Sequence, residues 1–368
     1  MKIIIYITIL LNISFSLPKF SVYNSSSCLA CHVNPTGSGL RNSYGNDIVS
    51  LEELPIEKWI NKGDDSWTGY INEHIQLGGD FRLQGVQFND TDTTRKTIFF
   101  PMQADIYTFL KINQTAGIFT KIGARGRSSF STEFWILLNS SPNKAWIKIG
   151  KSLPNYGLRV DDHTSFIRGG NYSNKFLELE KEGLIFGPYL DSPAMIETGI
   201  PILKNMLWTT SLSNGIKINS SGANNVTTQI NYINQIGNRY KYMAGINYMK
   251  ENEFMMMGIY GGLSFYKFIY TFEFDQADNL IDNFSSIANY HQFSYQIIQG
   301  IDFLAKYDFF DPDKDMQTNA IARYSLGFEI YPLNILEIKL QVRVHELIKP
   351  TYSEFQEAEY LIQTHFWF

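Results

Sequence analysis

From Trp67 to its C-terminus the chain alternates apolar and polar positions, in segments of roughly ten residues that Asn, Gly, Asp, Ser and Pro separate. A period of two marks half-buried strands, because successive side chains point to opposite faces of a sheet. Between 320 and 330, Ala320, Ala322, Tyr324, Leu326, Phe328 and Ile330 alternate with Ile321, Arg323, Ser325, Gly327 and Glu329. After Pro332, Leu336, Ile338, Leu340, Val342 and Val344 alternate with Glu337, Lys339, Gln341, Arg343 and His345. Phe268, Tyr270, Phe272 and Phe274 oppose Lys267, Thr271, Glu273 and Asp275; Ile301, Phe303, Ala305, Tyr307 and Phe309 oppose Asp302, Lys306 and Asp308. Counting such segments predicts about sixteen strands.

A soluble sandwich also alternates, but its apolar faces are mainly aliphatic, whereas here they are rich in Tyr and Phe, the residues of membrane girdles. Composition agrees: 15% of the 368 residues are aromatic, with 22 Tyr and 27 Phe, and only 18% are charged, against about 25% in an ordinary domain. Tyr360, Ile362, Thr364, Phe366 and Phe368 share one face of a last strand that ends on Phe. Such an ending resembles the closing strand of bacterial outer-membrane barrels, whose assembly machinery reads a terminal aromatic. The expected fold is all-β, a transmembrane antiparallel barrel over residues 67–368, because closure removes the unpaired edge that lipid does not tolerate. The formal net charge of −5 gives no reason to expect a nucleic-acid partner.

The N-terminus reads differently. Lys2, the apolar run Ile3 to Ile13 and the small residues of Ser14-Phe15-Ser16 form a secretory signal over residues 1–16; an uncleaved anchor is the alternative. Residues 17–66 then carry both cysteines of the chain in Cys28-Leu29-Ala30-Cys31-His32. Two thiols three positions apart can add to the two vinyl groups of one haem while the adjacent imidazole reaches the iron. This predicts one covalent haem c on Cys28 and Cys31, with His32 as the proximal ligand. A dithiol redox pair, a local disulfide and half a zinc site are the competing readings. The segment is loop-rich, with one short helix expected from Ser50 to Asn61, and at about fifty residues it needs the rest of the chain for support. It contains no other His, and between Met1 and Met102 there is no Met, so a sixth iron ligand would come from downstream.

Strand parity places the candidates for that ligand. His74 falls with Asn72, Gln76, Asp80 and Arg82 on the lumen-facing parity, and His365 with Glu359 and Gln363; both are expected low in the lumen near the closing seam. His345 is expected in the lumen near the outer rim. Met102 shares parity with Ile98, Phe100, Ala104 and Ile106 and is expected to face lipid. His163 lies in a non-alternating insertion, 153–170, that either protrudes or folds inward to constrict the pore. An inward loop would carry His163 to the haem, with Asp161 or Asp162 orienting the ring, or those carboxylates would meet a metal substrate.

The layout of signal, Cys28-Leu29-Ala30-Cys31-His32, short linker and barrel resembles the cytochrome-porin family, the outer-membrane fusions of a monohaem cytochrome c to a porin, which includes iron oxidases. Cys31 to Gly45 and Tyr156 to Thr164 resemble the broader group more than the iron oxidases, and Asp311-Pro312-Asp313-Lys314-Asp315 resembles a turn of phosphate- and anion-type porins. The resemblance implies electron transfer across the bacterial outer membrane, between a periplasmic c-type cytochrome and an external redox substrate such as Fe(II). The alternative is a solute-conducting porin whose haem head is a plug, a sensor or a tether.

Overall fold

The computed structural model describes residues 18–56, 67–91, 94–125, 129–139, 144–160, 162, 164–170, 183–184, 192–216, 222–280, 283–316, 320–348 and 353–368. The signal segment, Asp161 and His163 lie outside them.

One antiparallel sheet closes on itself. Its strands are β1 (Ile75–Thr91), β2 (Thr94–Lys111), β3 (Ala116–Arg125), β4 (Ser129–Asn139), β5 (Trp146–Lys151) and β6 (Ala194–Leu203). They continue with β7 (Met206–Ser213), β8 (Asn225–Ile236), β9 (Tyr240–Glu251), β10 (Phe254–Phe265), β11 (Phe268–Asp278) and β12 (Ser285–Ile298). The last are β13 (Ile301–Asp311), β14 (Ala320–Leu333), β15 (Leu336–Ile348), β16 (Ser353–Phe355) and β17 (Glu359–Trp367). Each pairs with its sequence neighbours, except that β15 pairs directly with β17 and the short β16 only extends the end of β15. β1 pairs with β17 from Asp80↔Trp367 to Gln87↔Tyr360, so sixteen strands form the closed wall, as the alternation predicts.

The wall has two chemically opposite surfaces. Phe130 is 78% exposed, Ile122 68% and Phe99 66%, whereas Asp105, Lys148, Glu273 and Asp308 are each fully enclosed. Exposed apolar outside and charged inside inverts the soluble pattern and is the arrangement of a barrel standing in lipid. Along β14, Tyr324, Leu326 and Phe328 face out while Arg323, Ser325 and Glu329 face in.

A bulge corrects one expectation. Arg82 pairs with Gln103 but Leu83 with Pro101, so Met102 is an extra residue on β2. An inserted residue flips the parity of its strand from that point on, and Met102 is buried instead of facing lipid.

The lumen is filled by the chain itself, from two segments. Helix α1 (Pro18–Asn24), which the sequence pattern did not indicate, packs against β9, β10 and β11. A π-helical stretch, Tyr44–Glu53, replaces the helix expected from Ser50 to Asn61; residues 57–61 lie outside the described ones. Ile56 N–H donates to the Tyr331 carbonyl at 3.0 Å and Gln299 Nε2 to the Pro55 carbonyl at 3.0 Å, fixing this segment at the short-turn end. The insertion after β5 folds inward: Tyr156, Leu158, Phe166 and Ile167 are buried against strands β9 to β13. Gly157, at φ +58°, is where a side chain would collide with Glu273, since a Cβ there would sit 1.8 Å from its Oε1.

Buried charges anchor the insertion. Arg168 Nη2 lies 2.6 and 2.8 Å from the two Glu273 oxygens, and its Nη1 3.6 Å from Asp275. Arg168→Met leaves two buried carboxylates without their cation, a loss of about 3–5 kcal/mol. The expected result is new protease cleavage within 152–170 while unheated protein still migrates as a folded barrel; protection equal to that of the unmutated protein would show that the pair does not anchor the loop.

Candidate functional site

The Cys28–His32 segment forms a tight turn inside the barrel. Cys28–Ala30 is a single 3-10 turn, and the Cys28 carbonyl accepts hydrogen bonds from Cys31 N–H at 3.1 Å and His32 N–H at 3.0 Å. Gly37, at φ +88°, lets the following loop fold back, and a Cβ there would sit 3.0 Å from Cys28 Sγ. The chain then returns alongside the turn, where His32 and Arg41 form an antiparallel bridge. Leu40 packs into the wall with Tyr107, Phe119 and Trp135. Lys148, enclosed by the wall, joins the loop to it through Glu197 at 2.8 Å, Asn34 at 3.3 Å and Thr36 at 3.4 Å.

His32 is buried, with Nδ1 3.2 Å from the Gly39 carbonyl oxygen. A carbonyl only accepts, so Nδ1 carries the proton and Nε2 keeps its lone pair. Burial, followed by the nearby Arg41 charge, pushes the imidazole pKa down to about 4, so the ring is neutral at pH 7. A neutral imidazole oriented by a backbone carbonyl is the form in which histidine ligates a metal. The ring lines a cavity of about 230 Å³ between the turn and the inward loop, with Arg41, Asp80, Tyr156 and His365 also on its walls.

The thiols are not poised for dithiol chemistry. Burial pushes Cys31 up to about 12 and also raises Cys28, so neither is the thiolate that a redox pair requires. Cys31 sits in an apolar cluster with Val49, Leu54, Tyr331 and Trp367, four residues that also line the His32 cavity. Cys28 lines an adjoining smaller cavity, and Leu158 and Arg159 border both. Among the described residues no group of three or more His, Cys, Asp or Glu converges as metal ligands. Two thiols flanking a turn, with a pre-oriented imidazole on one cavity and Cys28 on the adjoining one, fit a haem c tethered at Cys28 and Cys31 and ligated by His32 better than they fit half a zinc site.

The other candidates separate. His365 lies in the lumen as expected and shares the cavity with His32, but its Nε2 is 3.0 Å from Asp80 and its Nδ1 3.3 Å from Glu337. His74 does not face the lumen. It precedes β1 at the rim, its side chain 57% exposed, with Nδ1 3.0 Å from the Lys111 carbonyl oxygen, because alternation fails where the strand has not yet begun. His345 is buried in the wall near the opposite end. Asp162 is held by Lys306 at 3.0 Å and Arg343 at 3.3 Å; against burial, which raises it, these two cations hold the carboxyl well below the usual carboxylate range. Its other oxygen accepts the Thr164 N–H at 2.9 Å, so both oxygens have partners. Arg41, a cavity-lining cation, was not singled out by sequence reasoning; its pairing with His32 through the Gly37–Gly39 return was the available signal.

No protein-family model and no curated protein matches the chain. Solved structures do resemble it in fold. The outer-membrane channel DcaP of Acinetobacter baumannii superposes with a TM-score of 0.56 at 10% identity, over 82% of this chain and 99% of that one. OprB of Pseudomonas putida, in its high-pH structure, gives 0.56 at 9% identity over 80% and 94%. The anion-selective porin of Comamonas acidovorans gives 0.56 at 10% identity over 80% and 99%. The fold is that of the sixteen-stranded outer-membrane porins.

Proposed function

We propose that this chain is a bacterial outer-membrane barrel whose N-terminal segment carries one covalent haem c within the lumen and serves electron transfer across the membrane. The observation that carries the reading is the position of the Cys28–His32 turn: it is inside the closed wall, with the His32 imidazole oriented by Gly39 toward a lumenal cavity. Cys28 and Cys31 would tether the group, and His32 would ligate its iron. When bound, the haem supplies a one-electron Fe(III)/Fe(II) couple. The protein holds it in place, since the segment is pinned by the Lys19 ion pairs to Asp302, at 2.8 Å, and Glu329. Asp80 and His365, on the cavity wall, lie near the short-turn ends of β1 and β17. An external partner must therefore reach down the lumen past the inward loop, and a periplasmic c-type cytochrome would meet the opposite, short-turn end. The same loop and head obstruct passive flow of large solutes.

A second reading, a solute-conducting porin with the haem head as plug, is favoured by the structural neighbours, which include a channel and an anion-selective porin. Two measurements separate the readings. Haem staining of purified outer membrane is expected to mark the full-length protein and to vanish in Cys28→Ala/Cys31→Ala, which still runs as a folded barrel; an unstained wild-type protein would remove the haem. Proteoliposomes loaded with a redox dye are expected to exchange electrons with an external reductant at least tenfold faster with the wild-type protein than with the double variant. Equal rates, together with swelling of wild-type liposomes in small sugars, would establish the porin reading instead.

A further inference from the structure

We propose that Arg41 binds a carboxylate in the cavity beside His32, and that this carboxylate is a propionate of the haem; the inference rests on the haem reading above. His32 and Arg41 face each other across an antiparallel bridge. Residues so opposed project from the same face with Cβ atoms about 4.5–5.5 Å apart, so the guanidinium and the imidazole enter one cavity together, and both line it.

The guanidinium stands 4.9 Å from the centroid of the Trp367 ring. Among the described residues it makes no ion pair with an acid. Asp80, on the same cavity wall, is committed elsewhere: its Oδ1 is 3.0 Å from His365 Nε2, and its Oδ2 accepts the Tyr107 hydroxyl at 2.8 Å. Other lumenal cations, Lys19, Lys148, Arg168, Lys306 and Arg323, each have a carboxylate partner. Arg41 has no such ion pair among the described residues. Asp80 is the acid whose charge reaches Arg41, but its oxygens are engaged by His365 and Tyr107, and a planar guanidinium matches a carboxylate in a two-point fork. Haem c brings two carboxylates into whatever space His32 ligates. A free small carboxylate or phosphate in transit has the same chemistry, and the test separates the two sources.

The experiment is a redox titration of full-length protein with its haem, as wild type, Arg41→Gln and Arg41→Lys, read together with the haem-propionate bands in resonance Raman spectra. Removing the cation beside the haem favours the oxidised iron. At the wild-type midpoint, Arg41→Gln is expected to raise the oxidised-to-reduced ratio about tenfold, a shift of about 59 mV for one electron, and to move the propionate bands. Arg41→Lys keeps the charge and is expected to recover most of the potential but not the bands. Covalent haem with unchanged potential and bands in Arg41→Gln overturns this inference alone. Wild-type protein without covalent haem overturns the haem reading and this inference with it. Acetate binding by calorimetry to wild type but not to Arg41→Gln, beside an unchanged potential, assigns Arg41 to free anions and overturns the propionate assignment.

Discussion

The pairing of β1 with β17 is the constraint on which the rest depends. In hydrocarbon an unpaired strand edge costs several kcal/mol for each exposed backbone group, so the first and last strands have to meet, and they do so over eight residue pairs from Asp80↔Trp367 to Gln87↔Tyr360. Closure brings residues 285 positions apart in sequence into one site, since His365 reaches Asp80 at 3.0 Å. Trp367, from the same closing strand, packs on Cys31 and beneath Arg41. The terminal strand that seals the barrel is thus also a wall of the candidate haem site.

Alternation creates a second demand. A wall that turns apolar residues to lipid must turn polar ones inward, and charges in a narrow lumen are expensive unless paired. The inserted segments supply the partners. Lys19 enters from the N-terminal head to meet Asp302 and Glu329, Arg168 enters from the inward loop to meet Glu273, and Asp162 from the same loop meets Lys306 and Arg343. Head and loop are held by wall charges and complete the wall in return. This is why a segment of about fifty residues, too small for a core of its own, has a fixed position.

Period two made the wall legible, since the pattern depends on side-chain direction alone. It was enough for the strand count, for the inward set of β14 and β15, and for His365. It failed where local geometry broke the period. Met102 changed sides because a bulge inserted one residue, and His74 fell outside β1, where parity has no meaning. The helix of the head begins at Tyr44, six residues before the expected start at Ser50, and Val49 and Leu54 pack in one cluster with Tyr331 and Trp367, which are remote in sequence. The motif Cys28 to His32 stood out on its spacing alone. Its surroundings were hidden, because much of the cavity wall comes from strands and from the inward loop, remote in sequence.

The position of the motif relative to the barrel sets what it can do. Below the short-turn mouth, a CxxCH turn would be a tethered cytochrome beside an open pore, and the barrel would contribute nothing to its chemistry. Enclosed by the wall, His32 of the same turn shares its cavity with the barrel residues Asp80 and His365, so barrel residues would set the charge around the iron of the proposed haem. On the proposed reading, a mutation on the closing strand would change the redox behaviour of a group attached more than 330 residues earlier. The sealing of the membrane and the tuning of the site are carried by the same few residues of β17.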